Sequence, residues 1–257
     1  MKPLFFIASS IVFLVFAGTE NSFAQTSYTA KRDITLKFNS DDGTNACAVA
    51  WHPDKKLYYS VIAGNETFPL EVFSESGKYV SGGEAGFDAR SLWYNSKTGK
   101  LEGNGAGEVG LFSLDIGSDG KPGTAVNVYS GQKQPDFQSV GALNPAKQII
   151  YYYNAGTVYT YKRKGGKASK TFEIKAPVGV SNLNTTTVVF TGRKGEELGL
   201  LDKEEGKVYL FDLKGNHTAS VTLPSGSETP DMFRFSCANG KIWVYDVGTR
   251  SWTGYTF

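Results

Sequence analysis

The sequence predicts an all-β protein, five four-stranded antiparallel sheets set in a ring, and three observations carry that expectation. Thirty glycines and 14% aromatic residues beside 20% charged ones describe turns and strands, not helices or a disordered chain. β-Branched and aromatic runs recur every few positions between Gly, Asn, Asp, Pro or Lys-Gly, with no helical period longer than a turn. The third observation is a repeat. Turns that follow a short, partly polar strand and precede a strongly apolar one fall at HPDKK (52–56), SKTGK (96–100), NPAKQ (144–148), GRKGEE (192–197) and ANGK (238–241). From Asp54 to Thr98, Ala146, Gly195 and Gly240 the intervals are 44, 48, 49 and 45 residues. A four-stranded repeat unit needs about 40 to 50.

Residues 1–24 stand apart from this pattern. Lys2 precedes the 14-residue apolar run LFFIASSIVFLVFA, and Ser22 and Ala24 are small residues at the spacing a signal peptidase reads. The expectation is a signal peptide cleaved after Ala24, with residues 25–257 exported to a periplasmic or extracellular space as a single domain; an uncleaved N-terminal anchor is the alternative. The run is too short to span a bilayer comfortably, and no later segment is apolar enough to try. No Cys stands at the junction to take a lipid anchor. A formal charge of +2 from 27 basic and 25 acidic residues makes no electrostatic case for nucleic acid or an anionic membrane. The basic cluster KRKGGKASK (162–170) reads as a solvated hairpin tip.

Within a unit the strands follow in order. In the third unit FQSVGAL (137–143) reads as the inner strand, QIIYYY (148–153) as the second, TVYTYK (157–162) as the third and KTFEIK (170–175) as the outer. The fourth repeats this with TTVVFTG (186–192), ELGLLD (197–202), KVYLFD (207–212) and ASVTLP (219–224). The last unit has only MFRFSCA, KIWVYD and WTGYTF before the chain stops, and DITLKF (33–38) is the spare strand at the other end. Pairing it with the last unit closes the ring three plus one and removes an exposed edge. Cys47 and Cys237 then fall in the first and last units, and an oxidising compartment would permit a disulfide between them. Two cysteines with His52 and His217 in unrelated turns make no zinc site.

On these repeats the chain resembles the β-propeller repeat proteins, so the expected fold is a five-bladed β-propeller; a β-sandwich pair or a six-bladed ring with one degenerate blade are the alternatives. The Gly-His and Trp-Asp pairs of WD repeats are absent, and the double glycine of kelch blades occurs once, in SGGE (81–84). The resemblance implies that ligands meet the channel where the inner strands begin. About 12 residues before each landmark turn stand Asn45, Asp88, Asp136, Asn184 and Asp231, one acid or amide per blade. Two positions on, where a strand side chain points the same way, stand Cys47, Arg90, Gln138, Thr186 and Phe233, with Arg234 beside the last if a bulge shifts that strand.

These residues support two readings, turn caps that accept backbone N–H bonds or a polar pocket for a sugar, a peptide or calcium. Asn45, Asp88, Arg90, Asp136, Gln138, Asn184, Asp231 and Arg234 are the candidate ligand-binding residues. If Asp88, Asp136 and Asp231 converged, two of them could serve as the acid and base of glycoside cleavage, though the chain lacks the long loops and further acidic motifs of propeller glycosidases. The Asp-Gly turns in 39–45 and 115–123 lack the alternating ligands of a calcium loop. Asn65, Asn184 and Asn216 head Asn-x-Ser/Thr triplets. The four tryptophans, at 51, 93, 243 and 252, lie in apolar runs and read as blade packing. The expected function is an exported, non-enzymatic binding or scaffold module with no cofactor, contacting an unknown protein or a carbohydrate at its polar channel mouth. The alternatives are a glycoside hydrolase and an interaction module that uses its outer rim or loop tips.

Overall fold

The computed structural model describes residues 25–257; the expected signal peptide lies outside them. Blade one is β3 (Asn45–His52), β4 (Leu57–Ala63), β5 (Pro69–Ser74) and β6 (Tyr79–Glu84). Blade two is β7 (Trp93–Asn95), β8 (Lys100–Asn104), β9 (Leu111–Ile116) and β10 (Pro122–Tyr129), and blade three is β11 (Ala142–Asn144), β12 (Ile149–Asn154), β13 (Thr157–Lys162) and β14 (Ala168–Glu173). Blade four holds β15 (Val189–Phe190), β16 (Leu198–Asp202), β17 (Lys207–Phe211) and β18 (His217–Thr222). Blade five joins β19 (Phe235–Ala238), β20 (Lys241–Asp246) and β21 (Ser251–Thr256) to β2 (Lys31–Lys37). The inner strands β3, β7, β11, β15 and β19 touch in succession, and β19 returns to β3. The molecule is a five-bladed propeller, closed as expected by the antiparallel pairing of β2 with β21. No helix among the described residues is long and apolar enough to cross a membrane.

Local chemistry explains the period. Each landmark turn holds a residue in the left-handed region: Lys56, Gly99, Gln148, Gly195, and the pair Asn239–Gly240. Asn-Gly with both φ positive is the two-residue hairpin whose twist matches its strands, so β19 and β20 need nothing longer. Three inner strands are shorter than expected, three residues in β11, two in β15 and four in β19. Before β11 the chain leaves its own sheet, and Val140 bridges Thr187 of the next blade, its amide bonding the Thr186 carbonyl at 3.0 Å.

Each seam between neighbouring blades has its own apolar core. The seam of blades five and one packs Leu36, Phe38, Tyr58, Phe73, Trp243 and Trp252. Polar bonds reinforce it: Trp252 Nε1 donates to Ser60 Oγ at 2.7 Å, Asn239 Nδ2 to Tyr58 Oη at 2.7 Å, and the Val49 amide to Ser236 Oγ at 3.1 Å. Above it, the Arg250 guanidinium donates to the carbonyls of Ser40, Asp42 and Gly43. Glu71 accepts from the amides of Asn39 and Ser40, both at 2.8 Å. The connection from β2 to β3 is thus held from two sides.

Strand β1 (Thr26–Thr29) was not anticipated and adds a fifth, parallel strand to blade four, against β18. Its short polar stretch, TSYT, carries little strand signal; it is kept in place by a clasp. Tyr28 Oη donates to Glu196 at 2.8 Å, and the Arg193 guanidinium lies 4.7 Å from the Tyr28 ring centre and 4.8 Å from that of Phe257.

Cys47 and Cys237 are free thiols. Ser236 meets Val49, so Cys237 stands one residue beyond that contact while Cys47 stands two residues before it. Three residues of strand is about 10 Å, beyond the roughly 7 Å a disulfide tolerates between Cα atoms.

The seam of blades two and three has a smaller apolar cluster, around Trp93, Leu143, Ile150 and Tyr152, and a buried polar clamp. Arg163 donates to both oxygens of Glu102, at 2.8 and 2.6 Å. Asn95 and Thr98 donate to the same carboxylate, and Asn95 exchanges bonds with Gln148. Burial alone would push the Glu102 carboxyl up, but the Arg163, Asn95 and Thr98 bonds outweigh it and hold it below the usual range. Arg163→Met, which strands the Glu102 charge, should cost about 3–5 kcal/mol in urea unfolding, whereas adding Glu102→Leu should recover most of the loss.

His217 sits among Tyr209 and Phe211, and neither ring nitrogen has a partner. Burial lowers its pKa from 6.5, and burial lowers that of His52 likewise. A depressed histidine pKa means that the unfolded chain binds the proton first. Stability should therefore be full above pH 6.5 and decline below it until the folded-state values are passed. Thermal melts across this window should show the decline, and His217→Phe should flatten it.

Candidate functional site

The two ends of the ring are built differently. Where the inner strands end, the turns are short, at 53–56, 96–99, 145–148 and 239–240, with a longer one at 191–197. Where they begin, the chain crosses between blades in irregular segments, 85–92, 130–141, 174–188 and 223–234. Long irregular segments on a rigid scaffold are where binding groups concentrate.

Arg90 lies at the centre of that face with its side chain only 6% exposed. Its Nη1 donates to Asp88 Oδ1 at 2.5 Å and to the Ala89 carbonyl at 3.0 Å, and its Nη2 reaches Asp88 Oδ2 at 3.3 Å. Nε donates to Gln138 Oε1 at 2.5 Å, and the guanidinium carbon is 5.4 Å from the Phe233 ring centre. Asp88 Oδ1 also accepts from the Gly64 amide at 2.7 Å. One cation therefore ties together groups from blades one, two, three and five. Above it opens a cavity of about 170 Å³, walled by Asn45, Arg90, Gln138, Met232 and Phe233 with Ala63 and Gly64.

The other candidates do not line this cavity. Asp136 accepts from the Gln138 amide at 2.8 Å, fixing the turn that presents Gln138. Asn184, fully buried, accepts from the Thr186 and Thr187 amides and donates to the carbonyls of Pro230 and Met232 at 3.2 and 2.9 Å. It fastens the segment that carries Met232 and Phe233. Asp231 is exposed and pairs with Lys203 at 2.7 Å. Arg234 adopts φ 72° and its carbonyl accepts from the Tyr245 amide. Cys47 is buried in the seam of blades one and two, and Thr186 is buried with its hydroxyl unpartnered. The three acids considered for glycoside cleavage are each engaged elsewhere, and none lines the cavity.

Among the described residues no group of three or more His, Cys, Asp or Glu side chains could hold a metal ion. Both Asp-Gly segments are turns, with Asp119 accepting from the Lys121 amide and Asp42 bonded to Ser40. Asn184 is too buried to be glycosylated in the folded chain. Trp243 and Trp252 are fully buried packing residues, whereas Trp51 and Trp93 line the channel at its other end. The signal for those two was positional: Trp51 stands three residues before Asp54, and Trp93 five before Thr98.

No family model matches this chain, and no curated protein matches it. Among solved structures it is similar to a calcium-binding protein, regucalcin, from Agrobacterium tumefaciens strain C58, with TM-score 0.53 and 12% identity over 91% of this chain and 95% of that one. It is also similar to a chain of a nidogen/laminin complex, with TM-score 0.44 and 12% identity over 71% of this chain and 65% of that one. At such identity the likeness is one of fold.

Proposed function

We propose that the protein is an exported binding module whose ligand enters the cavity above Arg90, and that the group recognised is the terminal unit of a carbohydrate. The observation that carries this reading is the buried guanidinium held between Asp88 and Gln138 under an open cavity. A fold sustains such a knot of charge only when its partners are well placed. Asp88 balances the Arg90 charge, so the site suits a neutral ligand rich in oxygen acceptors. The amides of Asn45 and Gln138 offer such a ligand hydrogen bonds, and Phe233 offers an apolar wall for the C–H face of a ring. A volume of about 170 Å³ is below the ~300 Å³ at which drug-sized pockets begin, which favours one ring over an extended oligomer buried whole.

A second reading has its own observation. Phe137, Val178 and Met232 are exposed by 50%, 105% and 39%, and they lie on three successive segments of this same face. Exposed apolar side chains around a polar cavity also suit a protein partner that inserts one residue.

Melting residues 25–257 against mono- and oligosaccharides, short peptides, and calcium with and without chelator separates the readings. Calcium belongs in the panel because the similar regucalcin structure is of a calcium-binding protein. A ligand at a hundred times its Kd stabilises by about 2.7 kcal/mol. The expected outcome is a rise with one sugar class that Asn45→Ala and Gln138→Ala together abolish. A rise with peptides alone selects the protein partner, and no rise with any ligand, or one that survives both substitutions, contradicts a ligand at this mouth.

A further inference from the structure

Charge is unevenly divided around the ring. Residues 130–180, blade three with its flanking segments, carry eight basic and two acidic residues, a formal +6, whereas the remainder of the chain carries nineteen basic and twenty-three acidic residues, −4. The small net charge of the whole hides one strongly basic sector.

The excess gathers at one hairpin tip. Lys162, Lys164 and Lys167 are exposed at the turn between β13 and β14. A β-carbon at Gly165 would stand 3.7 Å from Lys162 Cβ, and one at Gly166 would stand 3.4 Å from the stem of Lys133. Lys133, which arrives from the connection between blades two and three, therefore joins the lysines of the tip. Among the described residues none of these four lysines pairs with a carboxylate, whereas Arg163 in the same turn is neutralised by Glu102. Four unpaired like charges around one turn repel each other, and a bound polyanion relieves that repulsion.

Two features of the tip narrow the partner. Its free cations are lysines, compact point charges on flexible stems, which suit a row of anionic groups and do not impose the planar fork by which arginine grips a single one. No large apolar side chain is exposed between residues 160 and 173. The tip thus has neither the stacking platform of a single-stranded nucleic-acid site nor an apolar face to sink into a bilayer.

We propose that this tip, with Lys133, is a docking surface for an anionic polysaccharide that bears carboxylate or sulfate groups along its chain. It is separate from the cavity above Arg90, which none of these lysines lines.

Dextran sulfate and uncharged dextran, alike in backbone, test this by titration against the protein. Dextran sulfate should bind, with an affinity that falls roughly tenfold or more between about 50 and 200 mM salt, and dextran should not. Lys133→Gln, Lys162→Gln, Lys164→Gln and Lys167→Gln together should weaken the sulfate roughly tenfold or more, because each lysine withdrawn releases fewer counterions. The four corresponding Arg substitutions should retain binding. Lys31→Gln, Lys37→Gln, Lys78→Gln and Lys194→Gln together, exposed positions on blades five, one and four, make the same change in net charge and should leave the affinity nearly unchanged. The proposal is overturned if dextran sulfate does not bind at low salt, if dextran binds as well, or if the two quadruple Gln variants lose affinity alike. Tighter binding of phosphatidylglycerol vesicles or single-stranded DNA at matched charge concentration would overturn the polysaccharide as partner.

Discussion

The pairing of β2 with β21 is the constraint on which the remaining structure depends. Five sheets can surround an axis only if the last meets the first, and here a strand from the opposite end of the chain completes the sheet that makes that meeting. Without β2 the final blade would have three strands and an open edge, and the cluster of Leu36, Phe38, Trp243 and Trp252 would lose one wall. Arg250 and Glu71 hold the connection from β2 to β3, so the closing strand is anchored by polar contacts as well as apolar ones. The clasp of Tyr28, Arg193 and Phe257 adds β1 to blade four and fixes the chain just ahead of the closing strand.

Closure in turn brings the inner strands onto one axis, which is what creates two mouths. Residues at the starts of those strands face each other across the ring, and so Arg90, Gln138, Asn45 and Phe233 meet although they are far apart in the chain. Residues at the ends of the same strands meet at the other side, and there the chemistry is aromatic. The cavities at the two mouths share no lining residue. The seams show the same division of labour: where the apolar cluster is small, between blades two and three, the Glu102–Arg163 clamp supplies a buried ion pair whose carboxylate is bonded at both oxygens.

Much of the architecture was legible because the repeat is local. Each landmark turn needs a left-handed residue, and Gly99, Gly195 and Asn239–Gly240 announce it, while Lys56 and Gln148 fill the same place without a composition signal. The middle strands of each blade are apolar on both faces because both seams bury them, so KIWVYD and IIYYYN stand out. Inner strands are harder to bound, since their first residues bond across to a neighbouring blade, as Val140 does with Thr187, and their own sequence does not record that partner. At the candidate site, counting from the turns places Asn45, Arg90 and Gln138 at one cavity but does not give the roles of the candidates. Asp136 and Asn184 resemble ligand residues in sequence and act as caps, because a cap and a ligand group use the same oxygen. The Arg90–Asp88–Gln138 knot depends on which blades adjoin, and only the closed ring shows it.

Native-state hydrogen exchange on β2 and β21 tests the dependence on closure most directly, because it reads the free energy of local opening strand by strand. If closure holds the ring, the paired amides of these strands exchange only through global unfolding, with an opening free energy equal to that from urea denaturation under the same conditions. If β2 opens well below that value while blades one to four keep their protection, the ring stands without its closing strand and the account is contradicted.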